Sequence, residues 1–445
     1  EEFRNNKIEL NFSIDFTEKL KFNDQTVSHS SSLNIGYFIL QKIYNDLRLK
    51  DFFNVAASSR KVSFDCNDIN RFLTYARILD PKSKLGTFDD LKNYYEKPDF
   101  RYHHILRFMD ILAENYDDYI SHLFTYSNNV IKRNTSVCYY DCTNFYFEIE
   151  DEDRDYADEV TGEILKGLRK YGPSKEHRPN PIVQMGLFMD GNGIPISMCI
   201  NPGSDNEQKS AIPLEEKMIR MFKNKKLIYC ADAGLGSLDI RKFNSMGSRA
   251  FIVTQSIKKL SQPLQAAIFN DCDYHLLSND AAVSIEDMKS FNRFDPQNLD
   301  LYNNKAYKII ETDNAFDIGL YEDKILASGK TRKVKSRAVL KQKIIITFSR
   351  KMMEYQRHIR NDQIERARSL VKNGNIEKIK KGPHDVTRFI KRTSTSRDGE
   401  KAAYDHYEID DKYKSVLKFL NSFLYKCCKM YIIYTTPLYK IFDKL

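Results

Sequence analysis

Two aspartates, Asp141 and Asp232, each end a short apolar run that is rich in Val, Ile, Tyr and Cys. The runs 135–141 and 226–232 have the composition of buried strands, which places each carboxylate at the C-terminal end of its strand. Two carboxylates on neighbouring strand ends form a binding site for Mg²⁺ or Mn²⁺, because a hard cation prefers rigidly held oxygen ligands. Such a site predicts metal-assisted phosphoryl transfer on a nucleic acid. The alternative is that each aspartate only caps the helix that follows it.

The composition is that of a globular protein with a small excess of positive charge. Of the 445 residues, 41% are hydrophobic and 12% aromatic, which excludes a disordered chain and is enough for the cores of several domains. Because the net charge of +9 is modest, its placement matters more than its size. Basic runs at 330–337 and 378–392 predict phosphate contacts, although a solvated surface is the commoner meaning of such a run. In the first run the predicted DNA-binding residues are Lys330, Arg332, Lys333, Lys335 and Arg337.

The eight cysteines include no Cys-x2-Cys pair. Four of them lie in or beside apolar runs and are predicted to be reduced core residues of an intracellular, cytoplasmic protein. These four are Cys138, Cys142, Cys199 and Cys230. No uninterrupted apolar stretch has the length of a membrane span and no basic-then-apolar leader begins the chain, so no membrane partner is expected. The first residue is Glu1 and not Met, so we expect the chain to lack its natural start.

Residues 1–130 are predicted to form an α-helical domain. Apolar residues recur at three- and four-residue steps from Ile35 to Leu47 and from Ile105 to Tyr116, and no strand pattern is evident. In an enzyme that acts on DNA, such a domain would recognise DNA ends. A plain packing role fits the periodicity equally well.

Residues 131–258 change to a pattern of strands and then of alternating helices and strands. The predicted elements are strands at 135–141, 144–148, 182–189 and 194–200, a helix at 211–223, a strand at 226–232, a helix at 237–244 and a strand at 249–254. A turn at Asp190–Gly193 joins two of the strands into a hairpin. Three antiparallel strands followed by alternating helix and strand is the order of a ribonuclease H-like core in a mixed α/β protein.

Residues 259–395 are predicted to be a β-rich inserted subdomain, with strands at 306–311 and 343–348 and a charged helix at 351–372. The last segment, 396–445, stands apart, because from Val416 onward it contains no Glu, Gly or Arg and a single Asp. That composition is typical of out-of-frame translation of AT-rich DNA. A genuine amphipathic C-terminal helix is the alternative.

Several motifs occur in one order along the chain and together resemble the bacterial insertion-sequence DDE transposases whose ribonuclease H-like core is split by a β-rich insertion. The resemblance covers residues 30 to 410. The motifs are Tyr139–Glu148, Gly172–Pro179, Asn201–Asn206, Cys230–Gly234, Phe251–Ile257 and Tyr355–Arg366.

The resemblance implies a DNA transposase that cuts and joins DNA at terminal inverted repeats. Asp141 and Asp232 match the first two metal-binding carboxylates of the family, and Lys175, His177 and Arg178 match a motif that lies between them, with a DNA-contact or active-site role. Two divalent ions about 3.5–4 Å apart would stabilise the attacking and leaving oxygens of an in-line displacement. The implied partners are duplex DNA, both transposon end and target, and a second copy of the chain.

The third carboxylate of the family lies on a late helix in a Tyr-x2-Arg-x3-Glu-x6-Lys pattern, and no segment after Asp232 has that spacing. The nearest candidate is Glu365, which is followed by Lys372 at the right separation. The sequence therefore predicts a transposase that is truncated or frameshifted near its C-terminus and inactive for want of the third ligand. Two alternatives stay open, an active nuclease of the same fold that uses Glu365, and a catalytically dead DNA-binding protein that acts as a repressor or dominant-negative partner.

Overall fold

The computed structural model describes residues 33–58, 60–158, 161–221, 227–374, 376, 385–395, 401–410 and 428–434. The chain separates into two compact units, Glu1–Lys132 and Arg133–Leu445. Across the described residues, no helix combines the length and the apolar character needed to cross a membrane.

The first unit is helical, as the periodicity predicts. Its helices are α1 (Tyr37–Asp46), α2 (Leu49–Ser58), α3 (Cys66–Leu79), α4 (Lys84–Asp90), α5 (Tyr102–Glu114) and α6 (Tyr116–Ser127). They enclose an aromatic core that includes Tyr37, Phe53, Phe72 and Phe108, each at most 1% exposed. On α1 the buried face carries tyrosines, so Ile35, Ile39 and Ile43 of the predicted apolar stripe are exposed instead.

The second unit begins with a five-stranded core whose elements agree with most of the sequence prediction. Its strands are β1 (Val137–Tyr146), β4 (Ile182–Asp190), β5 (Pro195–Pro202), β6 (Leu227–Ala231) and β7 (Arg249–Thr254). They lie in the order β5-β4-β1-β6-β7, with β4 antiparallel to β1 and β5, and with β6 and β7 parallel to β1. Helices α7 (Ala211–Met221) and α8 (Leu238–Phe243) connect the parallel strands. This is the order of a ribonuclease H-like core, and the mixed α/β fold is confirmed.

One detail of the core prediction is wrong, because the strands expected at 135–141 and 144–148 are a single strand. β1 runs unbroken from Val137 to Tyr146, since β4 pairs with it over nearly its whole length, from Cys138 to Tyr146. Asp141 therefore lies in the middle of a strand and not at its end. On the other edge, however, β6 pairs with β1 only as far as Tyr139.

The two strands predicted in the insertion, at 306–311 and 343–348, belong to strands that extend the core sheet. β12 (Val339–Phe348) pairs with β9 (Ala306–Asn314) and with β15 (Cys428–Tyr434), and β15 pairs with β7. With β8 (His275–Leu276) at the far edge, the sheet has nine strands within the described residues. The remaining strands form hairpins, namely β2 (Tyr156–Ala157) with β3 (Ile164–Leu165), β10 (Tyr321–Ile325) with β11 (Thr331–Lys335), and β13 (Ile390–Thr395) with β14 (Lys401–Ile409).

Further helices follow β7 along the described part of the chain. They are α9 (Gln262–Phe269), α10 (Ile285–Ser290), α11 (Leu299–Asn303), α12 (Ala315–Ile318) and α13 (Arg350–Asn373). The charged helix predicted at 351–372 is α13. It begins after Ser349, whose hydroxyl accepts a hydrogen bond from the Met352 N–H, and it ends at Gly374 in the left-handed conformation.

Candidate metal and nucleic-acid site

Asp141 and Asp232 each lie two residues beyond a paired position of the two parallel strands β1 and β6. Val137 lies opposite Ile228 and Tyr139 opposite Cys230, so two further residues along each strand lead to Asp141 and Asp232. Residues at equivalent positions of parallel neighbours project from the same sheet face, because side chains alternate with a period of two. Extended by two residues, this register predicts both carboxylates on one face of the sheet, beside the point where β6 ends at Ala231.

The two carboxylates are exposed and only partly satisfied. Asp141 is 70% exposed, and its Oδ1 accepts a hydrogen bond of 2.8 Å from the N–H of Cys142. Asp232 is exposed as well, and its Oδ1 accepts a 2.8 Å hydrogen bond from the N–H of Gly234. Within the described part of the chain, neither Oδ2 has a hydrogen-bond partner. Each aspartate thus keeps one carboxylate oxygen available to a cation.

The opposite face of β1 is buried and holds the strand in this orientation. Cys138, Tyr140 and Cys142 are at most 2% exposed, and Tyr140 packs on Phe188 and Tyr229 with ring centroids 4.6 and 6.1 Å apart. Burial raises the pKa of the Cys138 and Cys142 thiols, so these groups stay protonated. Both are free cysteines, in keeping with the prediction of reduced core residues.

The loop 172–179 lies beside Asp141, with the residues that its motif singles out. The Lys175 ammonium is 4.0 Å from Asp141 Oδ1 and donates a hydrogen bond to the carbonyl of Cys142. Arg178 stacks over the Tyr146 ring at 4.2 Å, and His177 is exposed with a positive φ of 57°. Lys175 therefore lies next to Asp141, and Arg178 lies at the C-terminal end of β1, the strand that carries Asp141.

A close backbone crossing explains why two of the motifs contain glycine. Gly172 and Gly203 pack so tightly that a Cβ on Gly172 would overlap the carbonyl of Gly203, and one on Gly203 would overlap that of Ile182. The buried amide of Gln184 donates to the carbonyls of Gly203 and Asp205 at 3.2 and 2.9 Å. The loops 172–179 and 201–206 are thereby fixed to each other and to β4.

Sequence reasoning missed Arg241, which ties the segment after Asp232 to the sheet. It is completely buried, and it donates to the Gly236 carbonyl at 2.9 Å and to the side-chain oxygens of Gln342 and Gln255 at 2.9 and 2.8 Å. Burial lowers its pKa to about 9. The three acceptors come from the β6–α8 loop, β12 and the end of β7, so no single local motif could have indicated this network.

The predicted third ligand, Glu365, is not grouped with the two aspartates. It lies on α13, is 66% exposed and forms an ion pair of 2.7 Å with Arg368. Across the described ranges, no three residues among His, Cys, Asp and Glu converge closely enough to hold a metal ion. The role of Glu365 as a metal ligand stays a prediction.

The basic run 330–337 forms one arm of an exposed β-hairpin. Among the strands that the structure describes, β10 and β11 pair with each other alone, and every residue from 321 to 333 is exposed. Lys330, Arg332, Lys333 and Lys335 lie on this hairpin, and Lys335 stacks on Phe316 at 4.9 Å. Arg337 follows on the way to β12 and is also exposed. Of the second run, residues 378–384 lie outside the described residues.

Comparisons with known proteins add little to this picture. No protein-family model matches the chain, and no curated protein matches it. Among solved structures, the Mos1 transposase paired-end complex with left transposon end is similar at 10% sequence identity and a TM-score of 0.17. The match covers 41% of this chain and 56% of that chain. A TM-score at this level carries no argument about function.

Proposed function

We propose that this chain is a DDE-type DNA transposase that acts on duplex DNA by metal-dependent phosphoryl transfer. The observation that carries the proposal is the pair Asp141 and Asp232, each of which lies two residues beyond the paired residues Tyr139 and Cys230 of adjacent parallel strands, in a sheet of ribonuclease H-like order. Capping of the turn that follows β6 explains the hydrogen bond to Oδ1 of Asp232. It does not explain the exposed carboxylate of Asp141 on β1.

The donor set fits a divalent ion such as Mg²⁺ or Mn²⁺. Both groups are hard carboxylate oxygens, and one oxygen of each has no other described hydrogen-bond partner. Mg²⁺ in proteins commonly binds one or two carboxylates and keeps several waters, so two aspartates are enough protein ligands for one ion. When bound, such an ion polarises a phosphoryl oxygen and lowers the pKa of a bound water.

The chain's own residues supply binding and orientation. Lys175, fixed through the Cys142 carbonyl, places a positive charge beside Asp141, where a DNA phosphate would approach the site. The exposed β10–β11 hairpin has the width of a two-stranded ribbon, an element that the major groove of DNA admits. Its basic side chains then contact backbone phosphates.

The test is nicking and joining of DNA that carries the element's terminal repeats, with Mg²⁺ and with Mn²⁺. We expect Asp141→Asn and Asp232→Asn each to lower any nicking rate by about a hundredfold or more, because each removes a charged ligand. Asp239→Asn, at an exposed position of α8, is the matched control. Unchanged nicking by both site variants would refute the proposal.

A second candidate function is DNA binding without cleavage, as in a repressor or a dominant-negative partner. It is favoured by one observation, the absence of a converging third carboxylate in the part of the chain that the structure describes. Here the purified chain would show no strand transfer, while its affinity for DNA falls steeply with salt and is unaffected by Asp141→Ala. If the chain joins DNA and Glu365→Gln abolishes that reaction, Glu365 is the third ligand and this candidate is wrong.

A further inference from the structure

A basic groove lies between α13 and the segment that contains α11. It encloses about 680 Å³, which is ample for a nucleotide. Positive and aromatic groups from both elements line it, namely Arg293, Tyr302, Lys351, Tyr355, Arg357 and His358. None of these residues belongs to the site formed by Asp141 and Asp232.

The groove carries a surplus of positive charge that its carboxylate does not cancel. Glu354 is already shared, because its Oε1 lies 2.8 Å from Arg350 Nε while its Oε2 accepts from Tyr302 at 3.1 Å and from Arg293. Desolvation raises the pKa of Glu354, but these hydrogen bonds lower that pKa by more and hold it below its usual range. Lys351 is exposed and pairs with no carboxylate among the described residues. Helix α13 as a whole has seven Lys or Arg and three Asp or Glu.

The helical spacing puts a charged and an aromatic group side by side. Lys351, Tyr355 and His358 follow one another at steps of four and three residues, which places them on one face of α13. The Tyr355 side chain is 58% exposed, so its ring face is open to a planar partner. Arg357 lines the same groove from a neighbouring part of the helix surface, and His358 lies 3.4 Å from Asp362. Cationic side chains near an accessible aromatic ring are the combination that proteins use to bind single-stranded nucleic acid, with phosphates on the cations and bases stacked on the ring.

We propose that this groove binds a single-stranded segment of DNA, with phosphates on Lys351 and Arg357 and a base on Tyr355. The proposal goes beyond the function proposed above, since binding here requires neither Asp141 nor Asp232. In a protein that opens DNA ends, such a groove would hold a strand that has lost its complement.

The experiment is fluorescence anisotropy of the full chain with a labelled thymidine oligonucleotide of about 15 nucleotides. We expect Lys351→Gln combined with Arg357→Gln to weaken binding by about tenfold, and Tyr355→Ala by about fivefold or more. Tyr355→Phe keeps the ring and should bind like the parent chain. Arg368→Gln, on the same helix but paired with Glu365, is the matched control and should change little.

Three outcomes would overturn the proposal. The first is an equal loss for Arg368→Gln, which would mean that general positive charge is responsible. The second is parent-like binding by Tyr355→Ala. The third is a loss of binding in the Asp141→Asn, Asp232→Asn double variant, which would place the strand at the aspartates. If that double variant loses nicking but still binds the oligonucleotide, the result supports the groove as a separate site.

Discussion

Glu215 provides a sharp test of the core packing, because it is a buried carboxyl without a cationic partner at hydrogen-bond distance. It lies on α7 and has no exposed surface. Its Oε2 accepts a 2.9 Å hydrogen bond from the amide of Asn244, which is also buried, while Oε1 has no partner among the described atoms. Burial raises the pKa of Glu215 from 4.5 to about 7, since desolvation penalises the charged form.

The direction and size of the effect on stability follow from proton linkage. A raised pKa means that the folded chain binds this proton more tightly than the unfolded chain does. The resulting stability is fully present below pH 4.5 and is lost as the pH rises to about 7. At about 1.4 kcal/mol per pKa unit, the gap between the two values corresponds to about 3 kcal/mol of unfolding free energy.

Glu215→Gln removes the ionisation and keeps an oxygen that can accept from Asn244. We therefore expect the variant to gain stability over the parent chain between pH 5 and pH 8, by about 3 kcal/mol across that range. Urea unfolding at several pH values measures the difference. Glu216→Gln, at the exposed neighbouring position, is the control and should give a flat profile. A difference between Glu215→Gln and the parent chain that does not change with pH would show that Glu215 is already ionised or already solvated in the fold.

Three further expectations follow from the site. Gly203→Ala should lower the unfolding free energy by about 2 kcal/mol, because the new methyl group overlaps the Ile182 carbonyl. Chemical denaturation measures this free energy, and an unchanged denaturation midpoint would contradict the close crossing of the backbone at Gly203. Arg241→Met leaves two buried acceptors and the half-buried Gln255 oxygen without this donor, and it should cost about 2–4 kcal/mol by the same measurement. Parent-like stability would mean that the network contributes nothing. Arg332→Gln and Lys333→Gln should each reduce the slope of log affinity for duplex DNA against log salt by about one; unaltered slopes would place the hairpin away from DNA.

The sequence predicts the core well where one local pattern decides the structure. The hairpin around Asp190–Gly193, the helix at 211–221 and the strands at 227–231 and 249–254 were all evident from periodicity and turn residues. The errors arise where a partner strand decides instead. β1 continues past Asp141 because β4 pairs with the following residues, and β9 and β12 join the core sheet because β15 bridges β7 and β12. Neither pairing has a signal in the sequence of the strand itself.

The same dependence on partner strands explains how a mid-strand aspartate can take part in a site. β6 stops pairing with β1 at Tyr139, so among the described strands Asp141 pairs with β4 alone. The Asp141 side chain is 70% exposed. The buried side chains of Cys138 and Tyr140 fix which face Asp141 occupies, since a slip of one residue would exchange the two faces. Extending the parallel register by two residues predicts Asp232 on the same face. The proposed site therefore depends on register more than on strand ends, and core substitutions that loosen β1 should impair it even though they touch neither carboxylate.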